Sequence, residues 1–227
     1  MFKNQQYLWL RAGGAMKKVT IDMVSDVVCP WCIIGYERLQ KAIAQLDDIE
    51  VTIQFHPFEL NPNMPQEGQD VREHIMEKYG LTPAQSDQNR KQLIDAGASV
   101  GFKFDYFDGM RMANTFNAHQ VLHYAGENGK QEALKLRLFA AYFSERKNVN
   151  DIDVLVNEAV SVGLNEQEVS ELLANQTYAD VVREHENLWL QRGIQSVPTF
   201  VIGNSGVAGA QDPETLAQFI VQASTEQ

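Results

Sequence analysis

Only two cysteines occur in the 227 residues, and they stand three apart in Val28-Cys29-Pro30-Trp31-Cys32, where a strand-like run gives way to a helix-like one. At such a junction the pair is most simply a dithiol/disulfide redox centre. If the helix begins at the motif, the two residues share a face of its first turn, so their sulfurs can meet in a small, reducible ring. Pro30 suits the first helical position, which needs no amide hydrogen. Cys29 would stand at the helix N-terminus, where unpaired amides and the dipole favour a thiolate, and Cys32 one turn inward. In this reading Cys29 attacks and Cys32 resolves the mixed disulfide.

Three plainer readings compete. A structural zinc site takes four ligands, and no second cysteine pair completes one. A structural disulfide closing so short a loop would constrain the unfolded chain little. Two unreactive buried thiols remain an alternative, because free cysteine is among the most buried residue types.

Composition bounds the function classes. With 44% hydrophobic and 22% charged residues the chain is ordinary globular protein. A net charge of −11 argues against a nucleic-acid backbone or an anionic membrane as the main partner, since both demand clustered Lys and Arg. No apolar run approaches the roughly 18 residues of a membrane span. Near the N-terminus only Tyr7 to Leu10 is apolar, shorter than the about 7–15 residues of a signal-peptide core. A cytoplasmic location is therefore expected, with residues 1–15 a leader or extension outside the fold. A monomer and a homodimer are equally compatible with the sequence.

Alternating residues predict a strand over 19–25, helical spacing follows over 32–46, and alternation returns over 51–59, where Pro57 marks an edge or an exit from the sheet. Strand-helix-strand order implies a parallel pair. After a Pro/Gly-rich loop from Asn61, helices are expected over 71–79, 83–100, 113–127, 131–146, 152–162, 166–173 and 178–192. Thr82, Asp151 and Asn165 read as caps. Strand character resumes over 198–202, Asn204-Ser205-Gly206 reads as a turn, Val207-Ala208 as a short partner strand, and a last helix starts near Asp212. The fold class is thus α/β: a small mixed sheet built from 16–62 and 177–227, interrupted by a helical insertion over 63–176.

Several segments together resemble the DsbA-like thioredoxin-fold proteins, and within them the cytoplasmic FrnE-like branch. These are Ser25-Asp26-Val27-Val28 with the Cys-Pro-Trp-Cys run, Phe58-Glu59-Leu60-Asn61-Pro62, Asn114-Thr115, Ala118-His119 and Ser196-Val197-Pro198-Thr199-Phe200. The resemblance implies thiol-disulfide exchange through Cys29 and Cys32, with disulfide-containing or thiol substrates meeting Pro30, Trp31, Val197 and Pro198. It also implies a cis peptide bond at Pro198, where the residues alone balance cis against an ordinary strand-start proline. Val197 would then offer its backbone to an extended substrate. No metal, nucleotide or flavin is implied: the cysteine pair is the redox carrier, with glutathione as a candidate redox partner. The same fold family includes kappa-class glutathione transferases and 2-hydroxychromene-2-carboxylate isomerases, where Ser often replaces the first cysteine. That alternative activity is disfavoured here by the presence of both thiols.

Other residues carry weaker signals. His119 and His123 stand at metal-ligand spacing on one helix face, but Gln120 replaces the glutamate of a metalloprotease motif, so structural histidines are expected there and at His56. Asp26 reads as a cap or loop residue, while Asp22, if inward-facing, would suit proton transfer from Cys32. Phe102, Phe104, Tyr106, Phe107 and Met110 would line a groove or, more commonly, a core.

Overall fold

The computed structural model describes residues 16–225; the expected N-terminal extension lies outside them. Strand β1 (Lys17–Ser25) lies at the centre of a four-stranded sheet of order β2-β1-β5-β6. It pairs in parallel with β2 (Ile49–Pro57) and antiparallel with β5 (Thr199–Ile202), which forms a hairpin with β6 (Ser205–Ala208). The hairpin turns on Gly203-Asn204, with Ile202 opposite Ser205. This shifts the expected Asn-Ser-Gly turn, because Gly203 supplies the positive φ (59°) of a two-residue loop. β2 ends at Pro57 rather than 59, since proline offers no ladder donor.

Helix α1 (Pro30–Ile43) starts at the motif, with Pro30 in its first turn and Cys29 as the N-cap. It packs on the sheet together with α9 (Pro213–Thr225). Alternation along β1 places Val19, Ile21 and Met23 in that core. Val24 lies on the other face with Val201 and with Trp189 of α8 (Ala179–Gln191).

The insertion holds α2 (Val71–Tyr79), α3 (Pro83–Val100), α4 (Phe116–Glu127), α5 (Gln131–Phe143), α6 (Ile152–Ser161) and α7 (Glu166–Asn175). Buried side chains of α4 to α7 join those of β1 and α1 in one continuous core, against which partly buried residues of α2 and α3 pack. Thr82 closes a reciprocal capping box with Gln85, while Asp151 and Asn165 accept from Asp153 and Glu168 amides. α4 starts later than expected because Asn114 is used as an anchor: it accepts from the Phe116 amide and donates to the Met64 carbonyl. α5 stops at Phe143 instead of 146, with Arg146 at φ 58°. A ribbon of β3 (Gln69–Asp70) and β4 (Arg111–Met112) escaped the sequence reading, two residues being too few for any period.

Candidate functional site: a dithiol at the floor of a cationic cleft

The end of β1 and the start of α1 place Cys29 and Cys32 on one helical turn, with the Cys32 amide donating to the Cys29 carbonyl at 3.1 Å. Both are buried, Cys29 at 3% exposure and Cys32 fully. Burial pushes the Cys32 thiol well above its ordinary value, and a hydrogen bond with Cys29 adds to the shift. Cys29 faces the loop before β5, where the Val197-Pro198 peptide is cis, and its Sγ lies 3.7 Å from the Val197 carbonyl oxygen.

Such close approach of helix and loop depends on Gly35. A Cβ there would stand 3.0 Å from Pro198 Cγ and 3.2 Å from the Phe200 ring. Without one, α1 lies directly against the loop that carries Pro198.

A cleft of about 590 Å³ opens above Cys29 and is also lined by Pro30, Trp31 and Val197. The tryptophan is 41% exposed, whereas Pro198 is buried beneath Val197. The other wall comes from α2 and α3, which contribute Arg72, His74, Lys78 and Arg90. Among the described residues no Asp or Glu lines this cleft, in a chain of net charge −11. Arg72 is tied to Asp87 at 3.0 Å, Lys78 donates to Leu60 O and Asn61 Oδ1, and Arg90 lies over the Tyr106 ring at 5.5 Å. Of the expected aromatic cluster, Phe104 and Met110 are core residues and Tyr106 reaches the cleft. These cations were missed in the sequence, because both helices look like ordinary solvated ones until folding turns them toward the dithiol.

Behind the cysteines, Asp26 is fully buried and makes no cap. Its Oδ2 accepts from the Leu60 amide at 2.8 Å, and its Oδ1 lies 3.2 Å from His119 Nε2. The same nitrogen is 3.2 Å from Phe58 O; with an acceptor on each side, it carries the proton. Burial alone would raise the Asp26 carboxyl, but the hydrogen bond and charge of His119 and the Leu60 amide outweigh it and hold the group below its usual value. The segment after β2 and the Ala118-His119 pair are thus brought together around one buried carboxylate.

Asp22 is placed elsewhere. It is paired at 2.7 Å with His56, whose ring packs tilted against Trp189 with centroids 4.6 Å apart, so it belongs to the α8 face of the sheet. His123 is half-buried, 3.7 Å from Glu127. Lys135, unnoticed in the sequence, is buried on α5 and feels the charges of Cys32, Asp26 and Cys29. Gln131, one turn earlier, bonds both backbone groups of Phe55 on the sheet edge and so fixes that helix against β2. The signal was available: a lysine four residues before Phe139 falls on the apolar face of α5.

Comparison with known proteins bears on the fold that carries this site. A probable DsbA oxidoreductase from Streptomyces coelicolor superposes with a TM-score of 0.87 at 34% identity, over 92% of this chain and 91% of that one. The cytosolic disulfide reductase DsbM of Pseudomonas aeruginosa shares the fold at 16% identity and a TM-score of 0.62, over 92% of this chain and 100% of that one. In sequence, the uncharacterized protein YwbO of Bacillus subtilis is 28% identical, covering 89% of this chain and 96% of its own. Residues 20–221 match the model of the DSBA-like thioredoxin domain, and the chain belongs to that family.

Proposed function

We propose that this chain is a thiol-disulfide oxidoreductase that works through Cys29 and Cys32. The observation that carries the reading is the placement of Cys29 at the floor of an open cleft, against the Val197 carbonyl, with Cys32 sealed behind it. In the reducing direction the Cys29 thiolate attacks one sulfur of a substrate disulfide, and the other leaves as a thiolate. Cys32 then loses its proton, attacks the Cys29 sulfur and expels the second substrate thiolate. Two electrons pass to the substrate, and the Cys29–Cys32 disulfide remains. The proton from Cys32 supplies one of the two that the released thiols take up.

The Val197 carbonyl and the exposed indole of Trp31 give an extended substrate segment a hydrogen-bond acceptor and an apolar shelf. The related Streptomyces protein, described as a probable DsbA oxidoreductase, supports the same class. Arg72, Lys78 and Arg90 suit the carboxylates of glutathione as a small-thiol partner. In a cytosolic setting, where thiols are kept reduced, the chain would act as a reductase or isomerase.

The test is disulfide turnover with cysteine variants. Cys32→Ser is expected to lose turnover and accumulate mixed disulfides through Cys29, and Cys29→Ser to lose both. Full turnover by Cys32→Ser would point instead to glutathione transfer or isomerisation.

A further inference from the structure

A second cavity, of about 360 Å³, shares no lining residue with the dithiol cleft. Four of the five histidines of the chain line it: His56 on β2, His119 and His123 on α4, and His185 on α8. Lys135 completes the wall. Its side chain is 1% exposed, and among the described residues its ammonium makes no hydrogen bond and no ion pair. Its Nζ stands 5.9 Å from the Phe55 ring centre and 5.3 Å from that of Phe139.

A buried ammonium without an acceptor is costly, and such groups concentrate where a ligand supplies the missing partner. The nearby carboxylates are committed elsewhere: Asp22 to His56, Asp26 to His119 and the Leu60 amide, and Glu127 to Tyr178 and His123. Asp26, Cys29 and Cys32 act on Lys135 by charge from the α1 side without contacting it. Phe55, Pro57, Leu122 and Val182 supply an apolar part of the wall, beside the polar Gln54 and Gln131. A cavity less than half this size holds a benzene ring, so roughly a dozen non-hydrogen atoms fit. A second negative charge on the ligand would meet Glu127 at the rim.

We propose that this cavity is a binding site for a small monocarboxylate with an apolar body, its carboxylate pairing with the Lys135 ammonium. The site stands independently of dithiol chemistry and is tested by binding. Isothermal titration of the full chain with benzoate should show saturable one-to-one binding, with the neutral isostere benzamide at least about tenfold weaker. Lys135→Met, which keeps the volume and removes the charge, should weaken benzoate by a similar factor. The wild-type affinity should also fall between about pH 7 and about pH 9.5, because burial lowers the lysine to about 8 and a neutral amine cannot pair with the anion. Absence of saturable binding, equal affinity for benzamide, or benzoate binding undiminished in Lys135→Met would overturn the proposal. If the variant fails to fold, the amide comparison and the wild-type pH series decide the matter.

Discussion

At the scale of single residues, the chemistry of this molecule lies in groups that burial sets against their ordinary behaviour. Lys135 falls from 10.5 to about 8, chiefly by desolvation, against the opposing pull of Cys32, Asp26 and Cys29. Below about pH 8 the amine is protonated in both folded and unfolded chains, so the whole cost of burying the charge is felt. As pH rises from there toward 10.5 the folded chain alone has lost its proton, and stability climbs. Lys135→Met is therefore expected to stabilise the protein near neutral pH by about 3 kcal/mol, and its advantage should shrink to nothing by about pH 10.5. Denaturant melts of both proteins across pH check this; a constant difference would contradict it. Asp26 shows why such residues resist sequence reading. Its type and position suggested a cap or a loop residue, and it does stand in the loop between β1 and α1, but its partners arrive from the Leu60 amide and from His119, ninety-three positions away. The place of Cys29 and Cys32 at the start of α1 was legible because its signals are local, a spacing and a helix start, whereas the cis bond at Pro198 followed from the resemblance and not from the residues alone.

Elements were legible where their ends carry chemistry. α2 and α3 occupy the expected spans because Asp70 and Thr82 cap their starts and Gly80 and Gly101 end them in the left-handed conformation. Boundaries slipped where a tertiary partner decided them, as Asn114 does at α4. Thr82→Ala should cost about 1 kcal/mol by removing the capping box of α3, the helix that carries Arg90 into the cleft. Gly35 is the sharper test of how α1 meets the sheet. Gly35→Ala sets a methyl against Pro198 and Phe200, and the crowding of about 1–3 kcal/mol is offset by the about 1 kcal/mol that alanine gains over glycine within a helix, so a net loss of no more than about 2 kcal/mol and slower disulfide exchange are expected. Equilibrium unfolding and turnover measured on the same preparation test both; an alanine variant unchanged in each would show that the helix and the Pro198 loop do not need their close contact.

For the molecule as a whole, the sheet holds the dithiol at one end of β1, and the insertion supplies both the roof over it and the charges around it. The net charge of −11 and the cations lining the cleft work in opposite directions. At long range the chain repels anionic substrates, while Arg72, Lys78 and Arg90 favour them at the cleft. An acidic disulfide peptide should therefore be turned over faster than its basic counterpart once salt has screened the long-range repulsion, which it weakens more than the contacts at the cleft, so the ratio should rise with ionic strength. Stopped-flow comparison of the two peptides at low and high ionic strength measures this, and a preference for the basic peptide at high ionic strength would refute the assignment of the cationic wall.

The central claim, that Cys29 and Cys32 form a reversible redox couple, is tested most directly by equilibrating the protein in glutathione buffers of graded poise and reading its thiols by alkylation and mass. A single two-electron transition between dithiol and intramolecular disulfide, absent in Cys29→Ser, is the predicted result. Two thiols that remain free at every poise would contradict it.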